Sequence, residues 1–418
     1  MTRLAAAWLA AAGVWAGPAA AENWPAWRGP SGDGRGAAGT PPLTWSATAG
    51  VRWKVPLPEP GNGTPVVWGD RIFVTQALQE GRKRGLICFA RADGRKIWER
   101  FLDFPDPESL HKTNTFCAGS AAADGGRVIA CLGSAGLVCW DHDGKELWKV
   151  ALGKLDHLWG TASSPLLHGD LCIVQCGPGE RQFVLAVDKA TGREVWRADI
   201  PGGSFGRNGG KDWVGSWGTP LVARSAEGRE ELLVAEPTWL KGLDPATGRE
   251  LWRCGGLGPL VYASPVAADG VAVAMSGFHG PALAVRMGGA GDVTASRRLW
   301  HHSGRQPQRI GSPIIVEGRV VIVPEPGVPT CFDLQTGAER WNLKERPAGQ
   351  NWGSPVLAGG RLYVTALDGS TLVMDAGPDF KLLAVNRIGE RVPASPVVTD
   401  GEILLRSHKH LWCIGKGE

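Results

Sequence analysis

A chain of 418 residues with 43% hydrophobic and 21% charged side chains is neither a disordered polymer nor a membrane bundle. Its formal net charge is +4, with no run of basic residues, which lacks the electrostatic footprint that nucleic-acid binding needs. Gly supplies 60 residues and Pro 30, so the chain is built for many tight turns.

The N-terminus places Arg3 before an apolar run from Leu4 to about Trp15 and then Ala19, Ala20 and Ala21. Small residues at the third and first positions before a cut fit a signal peptidase site after Ala21. The run is short for a membrane span, and no Cys follows the cut as a bacterial lipoprotein would need. Residues 1–21 are therefore expected to be a signal peptide, with an exported, soluble, periplasmic or extracellular chain starting near Glu22. Residues 22–44 form a leader segment, which includes "NWPAWRGPSGDG", and 45–418 form a single repeat domain.

After the leader, "VRWKVPL" at 51–57 reads as an isolated strand with no unit before it. From its Trp53 the chain returns to one pattern. Trp53, Trp98, Trp148, Trp196, Trp252, Trp300 and Trp341 stand 45, 50, 48, 56, 48 and 41 residues apart. A second marker opens each unit: "GTP" at 63, "GSA" at 119, "SSP" at 163, "GTP" at 218, "ASP" at 263, "GSP" at 311, "GSP" at 353 and "ASP" at 394. Between marker and Trp lie short β-branched runs separated by Gly-Asp or Gly-Arg turns, as in "IIV", "EGR", "VVIVP" after 313. Each unit offers three strands, and its Trp opens a fourth, as in "EVWRADI". Four strands in 41 to 56 residues match a propeller blade. The fold expected is all-β, an eight-bladed β-propeller of four-stranded blades. The last unit stops after its third strand, so the strand at 51–57 is expected to close the ring.

The turn before each Trp recurs most clearly in "AVDKATGREVW" at 186–196. Asp188 can accept backbone N–H bonds across it, and Gly192 can take the positive φ that closes it. The Trp residues are then structural, filling the wedges between blades. Nine cysteines accompany them. Cys172 and Cys176 cannot pair within one strand, since four residues span about 13 Å against the roughly 4.4–6.8 Å between bridged Cα atoms. Cys88, Cys139, Cys331 and Cys413 share one phase of the repeat with Ala186 and Ala284, which marks small buried filler.

The D-x-x-T-G-x-x-x-W turn resembles the tryptophan-docking repeat of PQQ-type β-propellers, over about residues 45–415. That superfamily includes quinoprotein alcohol dehydrogenases and the outer-membrane assembly lipoprotein BamB, and the leader resembles that of PQQ-binding-like repeat proteins. The resemblance implies the propeller fold and, in its enzymatic branch, PQQ and Ca²⁺. Several features of that branch are missing: no adjacent cysteine pair, no C-x-x-C-H for haem, and a considerably shorter chain. The lipidated Cys of BamB is missing too.

No catalytic or metal-binding motif of the H-E-x-x-H, P-loop or G-x-S-x-G kind is present. "DHDG" at 141–144 opens like a calcium loop but sits at the turn phase. His408 and His410, alternating on a predicted strand, form a lone pair without a third ligand; His301 and His302 follow a Trp and point apart. Function is sought instead where the repeats diverge, in the loops leading to each marker. Three positions before the marker Pro, or its equivalent, stand Asn62, Ala118, Ala162, Trp217, Tyr262, Ile310, Trp352 and Pro393. Arg309 and Asn351 lie one residue earlier. Trp159, Arg207, Lys211, Asp212 and Trp213 add rings and charge nearby. Such a rim can stack a planar ligand or grip a peptide, although Trp217, Tyr262 and Trp352 can equally well plug the channel mouth. The reading favoured is an exported, monomeric, non-catalytic scaffold that binds a protein or polymer partner in the envelope. The alternatives are a PQQ-dependent oxidoreductase, for which Asp156 and Asp212 are the loop carboxylates nominated, and a glycan-binding propeller without the carboxylate pair of a hydrolase.

Overall fold

The computed structural model describes residues 22–36, 39–203 and 213–415. They form an all-β, eight-bladed propeller. The first blade is the meander Val66–Trp68, Arg71–Leu78, Lys83–Ala90 and Lys96–Asp103. The meander starts again at Ala121, Leu166, Leu221, Val266, Ile314 and Val356. The two middle strands of a blade are covered on both faces by neighbouring blades. Arg71–Leu78 is accordingly buried at its six central positions and reads as a continuous apolar run rather than an alternating one.

The eighth blade joins the two ends of the chain. Its inner strands are Val397–Thr399, Glu402–Arg406 and His410–Ile414, and its outermost strand is Val51–Pro56. That strand runs antiparallel to the last one, with Trp53 opposite Cys413 and Val55 opposite Leu411.

The Trp-bearing turns follow from hydrogen-bond chemistry. Asp188 Oδ1 accepts from the Ala190 and Thr191 N–H groups at 3.1 and 2.8 Å and from the Thr191 hydroxyl at 2.8 Å. Gly192 has φ +75°, and a Cβ there would lie 2.8 Å from the ring of Trp148, which belongs to the preceding blade. The Trp148 indole N–H donates to the Lys189 carbonyl of the same turn at 3.1 Å. Trp53, Trp98, Trp196 and Trp300 repeat this relation with Arg91, His142, Pro245 and Leu334 at 2.8 to 3.0 Å.

Two tryptophans depart from it, each where the next blade lacks both the Thr-Gly and the Asp-Gly form of the turn. Trp252 packs with Ala272 and Leu283 of the fifth blade, but its N–H turns back to the Glu231 carboxylate of its own blade at 2.7 Å. The Trp341 N–H has no partner among the described residues, and its ring lies 5.0 Å from Phe380.

All nine cysteines are buried and unpaired. The register explains their phase: Cys88, Cys139, Cys331 and Cys413 stand directly opposite Trp98, Trp148, Trp341 and Trp53. Ala186, Ala284 and Gly242 hold the same place opposite Trp196, Trp300 and Trp252. A large indole needs a small cross-strand neighbour.

The leader lies across the innermost strands, at the end of the ring that carries the turns between first and second strands. Trp24 exchanges two 2.9 Å backbone bonds with Val67, Ala26 bridges to Ala122 and Arg35 bridges to Leu357. Between them Arg28, fully buried, donates to the carbonyls of Ser312, Pro313 and Asp33 at 3.3, 2.8 and 2.7 Å. Burial lowers this guanidinium to about 10, so it stays charged near neutrality.

Candidate ligand-binding site

The middle residue of each marker sits on the channel wall and binds the next blade. The Thr64 N–H donates to Ser120 Oγ, Ser120 to Ser164, Ser164 to Thr219, and Thr219 to Ser264, at 2.7 to 3.0 Å. Ser264 continues to Ser312, Ser312 to Ser354 and Ser354 to Ser395, each at 2.9 Å. Ser395 returns to Thr64 Oγ1 at 3.2 Å, and the circle is complete. The marker therefore has a cause that its Pro alone does not reveal. Its hydroxyl satisfies a backbone donor of the neighbouring blade.

These eight hydroxyl residues line the lower wall of a cavity of about 470 Å³ at the centre of the ring. Its floor is Trp27 of the leader, which also borders a second cavity of about 320 Å³ on the far side. The leader thus helps to shape the central cavity into a cup. All eight positions singled out three residues before the marker Pro line it, from Asn62 round to Pro393.

The individual candidates divide between wall and framework. Trp159, Trp217, Tyr262 and Trp352 line the cup. Trp217 is only 8% exposed; it donates to the Gly160 carbonyl at 2.9 Å and meets Tyr262 edge-on at 5.0 Å. Trp352 is freer, with its N–H 3.4 Å from Glu325 Oε1 and the Arg391 guanidinium 5.4 Å from its ring. Arg309 and Asn351 are not on the rim. Arg309, 2% exposed, donates to the Gly280 carbonyl and to Gln306 Oε1, and Asn351, 1% exposed, donates to the carbonyls of Val323 and Gly353. Neighbours in an extended segment point to opposite sides, so Ile310 and Trp352 face the lumen while Arg309 and Asn351 face the blades. Trp213 is not among the cup-lining residues, and Asp212, Arg207 and Lys211 lie outside the described residues. Asp156 pairs with Lys154 at 2.9 Å, also away from the cup.

Sequence reasoning missed Phe278, Trp27, Asn114, Gln308 and Glu325, which complete the lining. Phe278 is 58% exposed at the mouth, held by a loop in which His279 has φ +53°. The leader's Trp was quoted without a role, and nothing in the repeat phase reports on the loop between second and third strands. The histidine pair also differs from expectation. His408 lies in the turn before His410–Ile414, facing Asn62 Oδ1 at 3.2 Å, whereas His410 Nδ1 meets Glu390. No group of three metal-ligating side chains occurs among the described residues.

The cup is close to neutral. Among the described residues, Glu325 is the single carboxylate in its lining, and no Lys or Arg joins it. Burial pushes the Tyr262 phenol up to about 12, with Glu325 adding to the shift. His157, behind Trp217, is lowered to about 4 by burial, and His408 likewise to about 4 by burial and then by Arg391 and Arg406. Both imidazoles are uncharged near neutral pH. PQQ is a planar quinone bearing three carboxylates, and such an anion needs cationic partners and a metal-polarised carbonyl. The described residues of the wall, with one carboxylate and no cation, do not fit that group.

The family model described as outer membrane protein assembly factor BamB matches residues 30–113, 82–202 and 180–417. A curated relative, the outer membrane protein assembly factor BamB of Marinobacter adhaerens, is 25% identical over 95 residues; that match spans 23% of each chain. Among solved structures, BamB from Moraxella catarrhalis superposes with a TM-score of 0.60 at 16% identity, covering 87% of this chain and 97% of that one. The quinohemoprotein alcohol dehydrogenase from Comamonas testosteroni gives 0.63 at 14% identity, covering 96% and 82%. At such identities these two likenesses speak for the fold alone.

Proposed function

The chain belongs to the family of outer membrane protein assembly factor BamB, and from that membership we propose that it is an exported, non-catalytic binding scaffold of the cell envelope. The observation that carries this reading is the convergence of all eight blades on one cup. Each blade contributes a hydroxyl at one phase of the repeat to the wall and a side chain that varies from blade to blade above it, from Asn62 and Ala118 to Tyr262 and Pro393. A uniform base beneath a varied rim is how a repeat protein builds a recognition face. The monomer captures a protein or polymer partner on that face, with the exposed ring of Phe278 and the half-buried ring of Trp352 as anchors. The N-terminal residues 1–21 act as the export signal, the leader 22–44 as the cup's floor and 45–418 as the propeller.

Two measurements test this. Fractionation and N-terminal sequencing of the mature protein give a chain beginning at Glu22 outside the cytoplasm; a cytoplasmic chain retaining Met1 overturns the export. Affinity capture from envelope extract compares the wild type with Phe278→Ala plus Trp352→Ala. A specific partner lost by the double variant supports the scaffold, and identical capture by both proteins removes the loop face from consideration.

A further inference from the structure

Resting on the scaffold reading above, and narrowing its ligand, we propose that the central cup binds a neutral saccharide. Three properties of the lining lead there. The first is its rings: Trp159, Tyr262, Phe278 and Trp352 on the wall and Trp27 on the floor. Indole and phenyl faces are apolar plates, and the C–H face of a sugar ring is an apolar partner for such a plate.

The second is the hydroxyl circle. Each of its eight oxygens accepts one backbone N–H, from Thr64 to Ser120 and onward round to Ser395. No bond donated by any of these hydroxyls to a protein acceptor occurs among the described residues. Every one keeps an O–H to give and a lone pair to receive. A purely apolar ligand would leave these buried groups unmatched, at a cost in affinity. A ligand that is itself covered in hydroxyls matches them in either direction. Gln308 extends the same two-way capacity higher up.

The third is charge. Arg28, Arg309 and Arg406 lie behind the wall with their donors directed at protein acceptors such as the carbonyls of Pro313, Gly280 and Gly63. Among the described residues, Glu325 alone shows charge to the lumen. An anionic ligand would be opposed by that carboxylate and met by no cation among the described lining residues. The volume of about 470 Å³ falls within the range of small-ligand sites, which suits a short oligomer.

The test titrates the mature full chain with maltotriose, cellotriose and chitotriose, with the acidic trigalacturonate and with PQQ. Saturation-transfer NMR and tryptophan fluorescence are the readouts. At least one neutral trisaccharide is expected to bind, roughly tenfold more weakly to Trp352→Ala, with Trp352→Phe retaining most of the affinity because the stacking plate remains. Melting curves confirm that both variants are folded, and Phe278→Ala, altered at an exposed ring, gives an independent second variant. The proposal falls if no neutral trisaccharide binds, if trigalacturonate or PQQ binds more tightly than all of them, or if binding ignores both Trp352→Ala and Phe278→Ala. Partner capture that survives without saccharide binding sinks this inference and leaves the scaffold. Loss of both sinks both.

Discussion

The N–H of Ser395 donates to Oγ1 of Thr64 across 3.2 Å, and the two residues are 331 positions apart. Their bond is the last and longest link of the hydroxyl circle. It joins the innermost strands of the first and eighth blades directly at the channel. The blades are thus tied at the axis by side-chain hydroxyls and at the perimeter by indoles, with apolar packing between.

Removing one link tests the inner tie. Ser264→Ala leaves the Thr219 N–H, now 2.7 Å from Ser264 Oγ, buried without an acceptor. The expected loss is about 1–3 kcal/mol in denaturant unfolding, with Ser264→Thr recovering most of it. An alanine variant as stable as wild type would mean the circle is incidental.

The outer tie is tested at Trp196, whose N–H reaches the Pro245 carbonyl at 3.0 Å. Trp196→Ala is expected to lose about 3–5 kcal/mol, as buried aromatics do. Trp341→Ala is expected to lose less, because its N–H has no partner among the described residues and its ring is only half-buried. Equal losses from the two variants would show that the turn carbonyl adds nothing to packing.

Two truncations separate the leader from the strand at 51–56. A chain beginning at Pro41 lacks Trp24, Trp27 and Arg28 but keeps Val51–Pro56; a chain beginning at Glu59 lacks both. The second leaves His410–Ile414 as an unpaired edge and is expected to aggregate, while the first stays monomeric with a lower melting temperature. Light scattering after size exclusion distinguishes them. A monomeric, equally stable chain from Glu59 would show that the N-terminal strand does not hold the ring closed.

Acid is expected to act in two windows. His157 and His408 are lowered from 6.5 to about 4, so between those values the unfolded chain binds protons that the native chain does not. Stability therefore falls as pH drops from about 6.5 towards 4. Glu390 is lowered from 4.5 to about 2 by its bonds from Ser407, His410 and Lys54, against the opposing effect of burial. Its contribution is present above the ordinary carboxylate range and is lost as pH falls towards 2. His408→Gln should flatten the upper window and leave the lower one; thermal melts in a pH series that show no difference would overturn the assignment.

Much of this was open to view in the sequence, and the reasons are particular. A repeat exposes its strands because each copy must satisfy the same ladder, so the Trp spacing and the marker Pro lead straight to blades. Phase also picked out the cup wall: Asn62, Trp217, Tyr262 and Trp352 occupy one geometric position because their blades do. Phase could not say which way Arg309 and Asn351 turn, since a shift of one residue in an extended segment reverses the face. Nor could it reach Phe278 and Glu325, which stand in loops without a repeated residue. Trp252 shows the remaining limit. Its place in the repeat is regular, but the fifth blade offers no turn carbonyl there, and the indole N–H takes Glu231 instead.

The leader's contacts have a consequence for biosynthesis. Its residues are made first, yet Arg28 binds at 312 and 313, Arg35 pairs at 357, and the Glu22 carbonyl accepts from the Thr399 hydroxyl at 2.6 Å. Seating of the N-terminus must wait for nearly the whole chain to leave the ribosome, and contacts of such sequence separation form late. A nascent chain halted before the seventh blade offers Val67 and Ala122 to Trp24 and Ala26 but lacks the partners of Arg35 and Glu22 at 357 and 399. The floor under the cup is in this sense a receipt for finished translation, one that an incomplete product cannot present.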